Sequence, residues 1–143
     1  MTKQRRVALL IESSRGYGRG VLRGIAAYAH SQGNWALRHY EMMIDADPPA
    51  WLPRWRGDGV IARIETEKMA RTLRRMGLPT VDVRCRRKIA GIPHVETHDR
   101  EVVELAIAHL RERGLREFAF CGFHAANYSV RRLKFVREIL AAE

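Results

Sequence analysis

The run Val7-Ala8-Leu9-Leu10-Ile11, together with the glycine-rich segment behind it, decides the fold of this sequence. A short, continuous apolar run bounded by polar residues is typical of a strand covered on both faces in a parallel sheet. From Tyr17 to Gly33, apolar residues recur at three- and four-residue spacing, which predicts a helix with one apolar stripe. The N-terminal region is therefore predicted to be a strand followed by a crossover helix.

Predicted strands and helices alternate along the rest of the chain. The further strands are predicted at 35–41, 59–64, 80–83 and 118–121, and the further helices at 67–76, 99–114 and 129–142. Asp99 is the predicted N-cap of the second of these helices, and Gly114 closes it. The last helix is predicted to carry an apolar face made of Val130, Leu133, Val136, Ile139 and Leu140. Because parallel strands need crossover helices, this alternation predicts an α/β fold, a three-layer sandwich around a mainly parallel sheet.

Composition indicates a globular domain. Of the 143 residues, 46% are apolar and 29% are charged, as is usual for globular proteins. Apolar runs fall far short of the roughly 20 residues of a membrane helix, and no secretory signal is visible, so we expect a cytoplasmic protein without a membrane partner. The two cysteines, Cys85 and Cys121, are too few for a disulfide framework and lack the spacing of a metal motif. The last helix continues to the final residue, which predicts that the sequence is part of a longer protein.

The charge balance raises the possibility of a nucleic-acid interface. Twenty-six basic residues against 16 acidic ones give a net charge of +10. Only four of the basic residues are lysines, which leaves 22 arginines, and these are scattered over predicted helices and strand ends. The scatter, and the lack of a helix-turn-helix signature, predict that this segment does not itself read DNA.

Ligands of open α/β sheets bind outside the carboxyl ends of the strands, so the loop at 13–20 is the first place to look for a site. Its glycines, hydroxyls and guanidinium groups precede a helix N-terminus, which favours anionic or hydroxylated ligands. A dinucleotide fingerprint is incomplete, because Arg23 stands where the third glycine belongs and Gly24 comes one residue late. Glu41 nevertheless lies where such a fold carries its ribose-binding acid. A Rossmann-like nucleotide-binding oxidoreductase fragment therefore stays open as an alternative, as does a stand-alone interaction or dimerisation module.

Catalytic and metal motifs are missing from the sequence. There is no G-x-S-x-G, no H-E-x-x-H and no paired-cysteine motif. His94, His98 and Asp99 lie around a strand-to-helix junction, not on one helical face. We therefore predict neither an enzyme nor a metal site. The loop at 122–129, which precedes Arg131, combines polar and aromatic groups that suit a hydroxyl-rich ligand.

Several segments resemble the sugar-binding core of LacI/GalR-type transcription regulators, which is shared with periplasmic sugar-binding proteins. The segments 95–99, 108–114 and 118–122 look like the hinge, the "HL…G" helix and the following strand of that family. Within the family, the sequence looks most like the sensor portion of XylR-like regulators of xylose operons. That closer likeness is carried by 6–10, Tyr17, Arg19, Gly24, 57–62 and 118–120.

The resemblance implies a sensor of the type I periplasmic-binding-protein-like fold whose two lobes close on a sugar, D-xylose or a related pentose. Residues 1–97 are then the first lobe, and 98–143 are the start of a second lobe that is incomplete here. It further implies a homodimer that binds operator DNA through an AraC-type helix-turn-helix domain, which is not in this chain, and it implies no cofactor.

The resemblance also implies a set of sugar contacts. Arg131 is expected to donate to adjacent hydroxyls, and Tyr17 is expected to pack against the sugar ring. At the hinge the sequence departs from the family pattern, since relatives usually carry Asp where His98 aligns and Asn where Asp99 aligns. The predicted ligand contacts are Ser13, Tyr17, Arg19, His98, Asn127 and Arg131.

Overall fold

A computed structural model of the chain describes residues 3–43, 45–124 and 126–142. The chain divides into two compact units, Met1–Glu96 and Thr97–Glu143. No helix within these described ranges is long and apolar enough to span a membrane.

The first unit is built on a four-stranded parallel sheet. Its strands are β1 (Arg5–Leu10), β2 (Trp35–Tyr40), β3 (Gly59–Ala62) and β4 (Thr80–Asp82), in the order β2-β1-β3-β4. Every neighbouring pair is parallel, which confirms the predicted parallel sheet.

All four strands end one or two residues earlier than predicted, and side chains explain part of the difference. Just beyond β3 and β4, the Asp82 carboxylate accepts hydrogen bonds from backbone N–H groups that, in longer strands, would bond to the neighbouring strand. Asp82 accepts hydrogen bonds from the backbone N of Ile64 at 3.2 Å and of Arg84 at 2.9 Å. The sequence pattern could not show this, because it records apolar periodicity and not which group accepts the next hydrogen bond.

Helices cover both faces of the sheet. Ala8 and Leu10 of β1 pack on the side of α2 (Glu67–Met76) and a short 3₁₀ helix, Leu52–Arg54. The alternate residues Val7 and Leu9 face α1 (Gly16–Gln32) on the other side. Side chains of successive strand residues point to opposite faces, so the all-apolar run of β1 is buried from both sides. The predicted three-layer arrangement is confirmed.

The connection that follows β4 folds back along it. The backbone N of Asp82 donates to the carbonyl oxygen of Pro93 at 2.9 Å, and the N of Val95 donates to the carbonyl of Asp82 at 2.9 Å. These bonds make a parallel bridge between Asp82 and His94. Residues 93–95 thus extend the sheet by one isolated bridge at its β4 edge.

In the second unit the structure describes two helices, α3 (Asp99–Glu112) and α4 (Asn127–Ala141). The prediction that Asp99 is the N-cap of α3 was wrong. His98 is the N-cap, and its Nδ1 accepts from the backbone N of Glu101 at 3.3 Å. Asp99 is the first helical residue, and its carboxylate binds two arginines of α4 instead.

The strand predicted at 118–121 was also wrong, since these residues form no strand. A strand needs a partner for its backbone N–H and C=O groups, and the described parts of the second unit supply none. The helix predicted at 129–142 begins at Asn127 and ends at Ala141. Val130, placed on its apolar face by the sequence, is 55% exposed.

Candidate ligand-binding site

The carboxyl edge of the sheet carries the candidate site in the first unit. The chain leaves β1 to one side for β2 and returns on the other side as β3, so the strand order reverses between β1 and β3. Open α/β sheets form their ligand crevice at this switch point. Glu12 lies two residues beyond the end of β1, and Arg63 lies one residue beyond the end of β3. Both residues are therefore at the switch point.

Buried charges link the ends of three strands there. Arg63 binds Glu12 through Nη1 at 3.3 Å and Glu65 through Nε at 2.7 Å. Arg84, two residues beyond β4, binds the same Glu65 at 3.0 Å. The side chains of all four residues are at most 11% exposed. We call Glu12, Arg63, Glu65 and Arg84 the charged cluster.

The electrostatics of the charged cluster keep Glu65 ionised. Burial by itself would raise the pKa of the Glu65 carboxyl, but hydrogen bonds and charges from Arg63 and Arg84 lower it below its ordinary value. Asp82 behaves in the opposite way, since burial raises its pKa even though backbone N–H groups of Ile64, Arg84 and Cys85 bind the carboxylate. The cluster is therefore a fixed array of guanidinium donors and carboxylate acceptors at the crevice.

The charged cluster was not predicted from the sequence. A signal was present, because charged residues directly follow the buried strands β1 and β3, and charges there are exceptional unless they are paired. Which carboxylate pairs with which arginine depends on strand order, which the sequence does not state.

Tyr17, a predicted sugar contact, lies at the same edge. Its hydroxyl donates to the carbonyl oxygen of Val83 at 3.0 Å, so the side chain reaches from α1 to the end of β4. Burial raises the pKa of the Tyr17 hydroxyl, against the lowering effect of the Arg63 and Arg84 charges. The residue is 41% exposed, so it presents surface to solvent beside the charged cluster.

Arg19 and Ser13 shape the loop after β1. Arg19 donates from Nη1 to the carbonyl oxygens of Ser13 at 3.0 Å and Ser14 at 2.6 Å. The backbone N and the hydroxyl of Ser13 donate to the two oxygens of Glu41, at 2.7 and 2.6 Å. These hydrogen bonds lower the pKa of Glu41. The acid considered above as a ribose ligand is thus engaged with the loop, which does not favour the nucleotide-binding alternative.

The remaining predicted contacts lie in the second unit, on or beside its two helices. His98 caps α3, and Asn127 is the first residue of α4. Arg131 donates from Nε to Asp99 Oδ2 at 2.6 Å, and its neighbour Arg132 donates from Nε to Asp99 Oδ1 at 2.8 Å. The Asp99 side chain is 3% exposed and those of the arginines are 38% and 27% exposed. A buried carboxylate therefore fixes the orientation of Arg131.

Asp99→Asn is expected to destabilise the second unit by about 2 kcal/mol. The amide keeps the shape of the carboxylate but turns an NH₂ group toward one of two guanidinium groups, and the charge that holds them is lost. Because both arginines are partly exposed, water offsets part of the loss, which keeps the effect below that of a fully buried pair. Urea denaturation of the wild-type and variant chains measures it. Glu104→Gln, in an exposed pair with Arg100, is the matched control and is expected to change stability by less than about 0.5 kcal/mol. Equal effects of the two substitutions would contradict the role given to Asp99.

Comparison with known proteins supports the predicted family. Residues 6–100 match the XylR N-terminal domain family. The chain is 29% identical over 153 aligned residues to the xylose operon regulatory protein of Escherichia coli strain K12, with 99% of this chain and 38% of that protein covered. The chain thus spans little more than a third of the length of this curated relative.

Solved structures agree in fold. The structure of the xylose-binding transcription activator XylR matches with a TM-score of 0.77 at 26% identity, covering 98% of this chain and 36% of that one. A LacI family transcriptional regulator from Enterococcus faecium, solved with bound ribose, matches with a TM-score of 0.75 at 20% identity, covering 96% and 53% of the two chains. These neighbours confirm the predicted periplasmic-binding-protein-like fold. Because the family match extends over well more than half of the 143 residues, this chain belongs to the family of XylR N-terminal domains.

Proposed function

We propose that this chain is the ligand-sensing part of a cytoplasmic transcription regulator of xylose utilisation. The observation that carries the proposal is the family match over residues 6–100, supported by a relative along 99% of the chain that is a xylose operon regulatory protein. The ligand is a small sugar, D-xylose or a related pentose. Operator DNA is bound, in a homodimer, by a part of the regulator outside this chain.

The chemistry of the switch-point edge supports a sugar ligand. A sugar presents neighbouring hydroxyl groups, each of which donates and accepts hydrogen bonds. Fixed guanidinium donors and carboxylate acceptors suit such a pattern, and an aromatic ring beside them suits the apolar face of a pyranose. The charged cluster and Tyr17 supply these groups in the first unit. Ser13 and Arg19 are assigned sugar contacts as well, and both side chains also form hydrogen bonds that hold the loop after β1.

In the second unit, the proposed sugar contacts are His98, Asn127 and Arg131. Arg131 is oriented by Asp99, and a pre-oriented guanidinium loses less conformational entropy when it binds hydroxyls. Sugar binding shifts the population of the sensor toward the state that binds the sugar more tightly. Since a ligand shifts an equilibrium only through its differential affinity for the two states, contacts made in one state alone are what switch the regulator.

Calorimetric titration of the natural protein that contains this sequence tests the proposed function. We expect saturable binding of D-xylose, with weaker or no binding of D-glucose at the same concentrations. NADH is titrated in parallel as a probe of the oxidoreductase alternative. Saturable NADH binding with no heat from any pentose would overturn the proposal.

Arg131→Ala is expected to weaken D-xylose binding by about tenfold or more, since it leaves sugar hydroxyls without their charged donor. Arg132→Ala is the matched control, because it removes the other guanidinium bound to Asp99 and thus causes a similar structural loss. The same titration applied to both variants measures the difference. If the two variants lose affinity equally, Arg131 acts only by holding Asp99 and is not a sugar contact.

A further inference from the structure

We propose that Cys85, His94 and Glu96 form a binding site for a zinc-type divalent transition-metal ion. The three side chains belong to the connection that follows β4, within the first unit. Their ligand atoms, one sulfur, one nitrogen and one oxygen, all lie within 4.8 Å of one another. The site shares no residue with the charged cluster, although Cys85 directly follows Arg84 in the chain, and the proposal does not depend on which sugar the protein binds.

The three ligand atoms indicate which class of metal ion the site binds. Thiolate sulfur, imidazole nitrogen and carboxylate oxygen are the three ligand types that Zn²⁺ takes in proteins, at about 2.0 to 2.3 Å from the metal. Ligands at such distances around one tetrahedral ion lie about 3.3 to 3.8 Å apart. Nε2 of His94 and Oε1 of Glu96 are 3.9 Å apart, so a small side-chain rotation brings them to the required separation. Three protein ligands leave a fourth position for water.

The backbone around the site is held by one residue. Asp82 accepts a hydrogen bond from the backbone N of Cys85 through Oδ2 at 3.1 Å. The same residue pairs through its backbone with the strand-like segment that carries His94. Both ends of the C-x₈-H-x-E stretch are therefore anchored to β4 before any metal binds. Such preorganisation lowers the entropic cost of bringing ligands together.

Burial and charge are compatible with a cation. Cys85 is 4% exposed, whereas the His94 and Glu96 side chains are each 32% exposed, so the site has one buried anchor and an open side from which an ion can enter. The neighbouring stretch is basic, which by itself would repel a cation. However, its three arginines are each paired with a carboxylate, as Arg84–Glu65, Arg86–Asp45 and Arg87–Glu67.

The sequence predicted no metal site, because Cys85 is not part of a paired-cysteine motif. The separation of the three residues in the sequence does not show that His94 and Glu96 lie beside Cys85. The fold brings His94 and Glu96 beside Cys85, because residues 93–95 run alongside Asp82 of β4.

Titration of the metal-free 143-residue chain with Co²⁺ tests the proposal, since a Co²⁺–thiolate bond gives a charge-transfer absorption that Zn²⁺ then removes by displacement. We expect one equivalent of Co²⁺ to produce this absorption and one equivalent of Zn²⁺ to abolish it. Cys85→Ser is expected to eliminate the absorption. Cys121→Ser, at the exposed second cysteine, is the matched control and is expected to retain it.

Glu96→Gln and His94→Gln test the site with substitutions that are not expected to unfold the chain. Both side chains are partly exposed, so their replacement leaves the buried core intact. Each substitution is expected to weaken Zn²⁺ affinity by more than about tenfold, because even the loss of a residue that only hydrogen-bonds a metal ligand typically costs about 10- to 100-fold. The corresponding control is His30→Gln, at an exposed residue of α1, for which Zn²⁺ affinity is expected to stay the same. No thiolate absorption in the wild-type chain, or Zn²⁺ affinity unchanged in both Glu96→Gln and His94→Gln, would overturn the site.

Discussion

Arg63→Met is expected to destabilise the first unit by about 3 kcal/mol at neutral pH. The substitution keeps the apolar stem but removes the guanidinium that lies between Glu12 and Glu65, both of which are buried. Removing one partner of a buried ion pair costs about 3 to 5 kcal/mol, because the other charge stays in the interior without its partner. We take the lower end because Glu65 keeps Arg84, and Glu12 keeps hydrogen bonds from Ser14 and the backbone N of Arg15.

The pH dependence of the same variant gives a second readout. In the wild-type chain the pKa of Glu65 is lowered, so its contribution to stability is present above the ordinary carboxyl pKa and is lost as pH falls through the folded-state pKa. Without Arg63, the pKa of Glu65 rises, so that contribution is lost at higher pH. The stability difference between the two chains is therefore expected to shrink in acid.

Urea denaturation at neutral and acid pH measures both effects. Arg71→Met is the matched control, since Arg71 is an exposed residue of α2, and we expect a change within about 0.5 kcal/mol. A difference between wild type and Arg63→Met that stays constant with pH would show that Arg63 acts through packing alone.

Gly18→Ala is expected to cost about 3 kcal/mol or more, because no space exists for the added methyl group. A Cβ atom at Gly18 would lie 1.8 Å from the carbonyl oxygen of Glu12, far inside van der Waals contact. That oxygen belongs to the backbone, so relief requires α1 to move away from the end of β1. Overpacking of this kind typically costs 1 to 3 kcal/mol and occasionally more.

Gly24→Ala, in the same helix, is the control and is expected to act in the opposite direction. Nothing lies within 4 Å of a Cβ atom at Gly24, and alanine favours a helix over glycine by about 0.5 to 1 kcal/mol. Thermal unfolding of both variants therefore gives shifts of opposite sign. A stabilising or neutral Gly18→Ala would show that the helix does not pack against Glu12 as described.

The sequence predicted the first unit well because its signals are local. The all-apolar run of β1 predicts a strand that is buried on both faces. The residues that cap the two ends of α2, Thr66 and Gly77, are typical helix-capping residues and are visible in the sequence. Thr66 accepts from the backbone N of Met69 at 3.1 Å, and Gly77 takes the positive φ of 64° that closes the helix. Such signals predict a helix or a strand from its own residues, without information about the elements that pack against it.

The errors arose where the outcome depends on distant residues. Asp99 has the chemistry of an N-cap, but two arginines more than 30 residues later bind its carboxylate more favourably than backbone N–H groups would. Apolar residues at 118–121 have strand character, yet a strand forms only beside a partner. The charged cluster was missed for the same reason, since Glu12, Arg63 and Arg84 come together only through the strand order.

A crystal structure of the natural protein with D-xylose tests whether the carboxyl edge of the sheet binds the sugar. We expect sugar density at the carboxyl edge of the sheet, with the Tyr17 ring against the sugar ring. Sugar bound at the amino edge of the strands, or bound without contact to Tyr17, would contradict the proposed site.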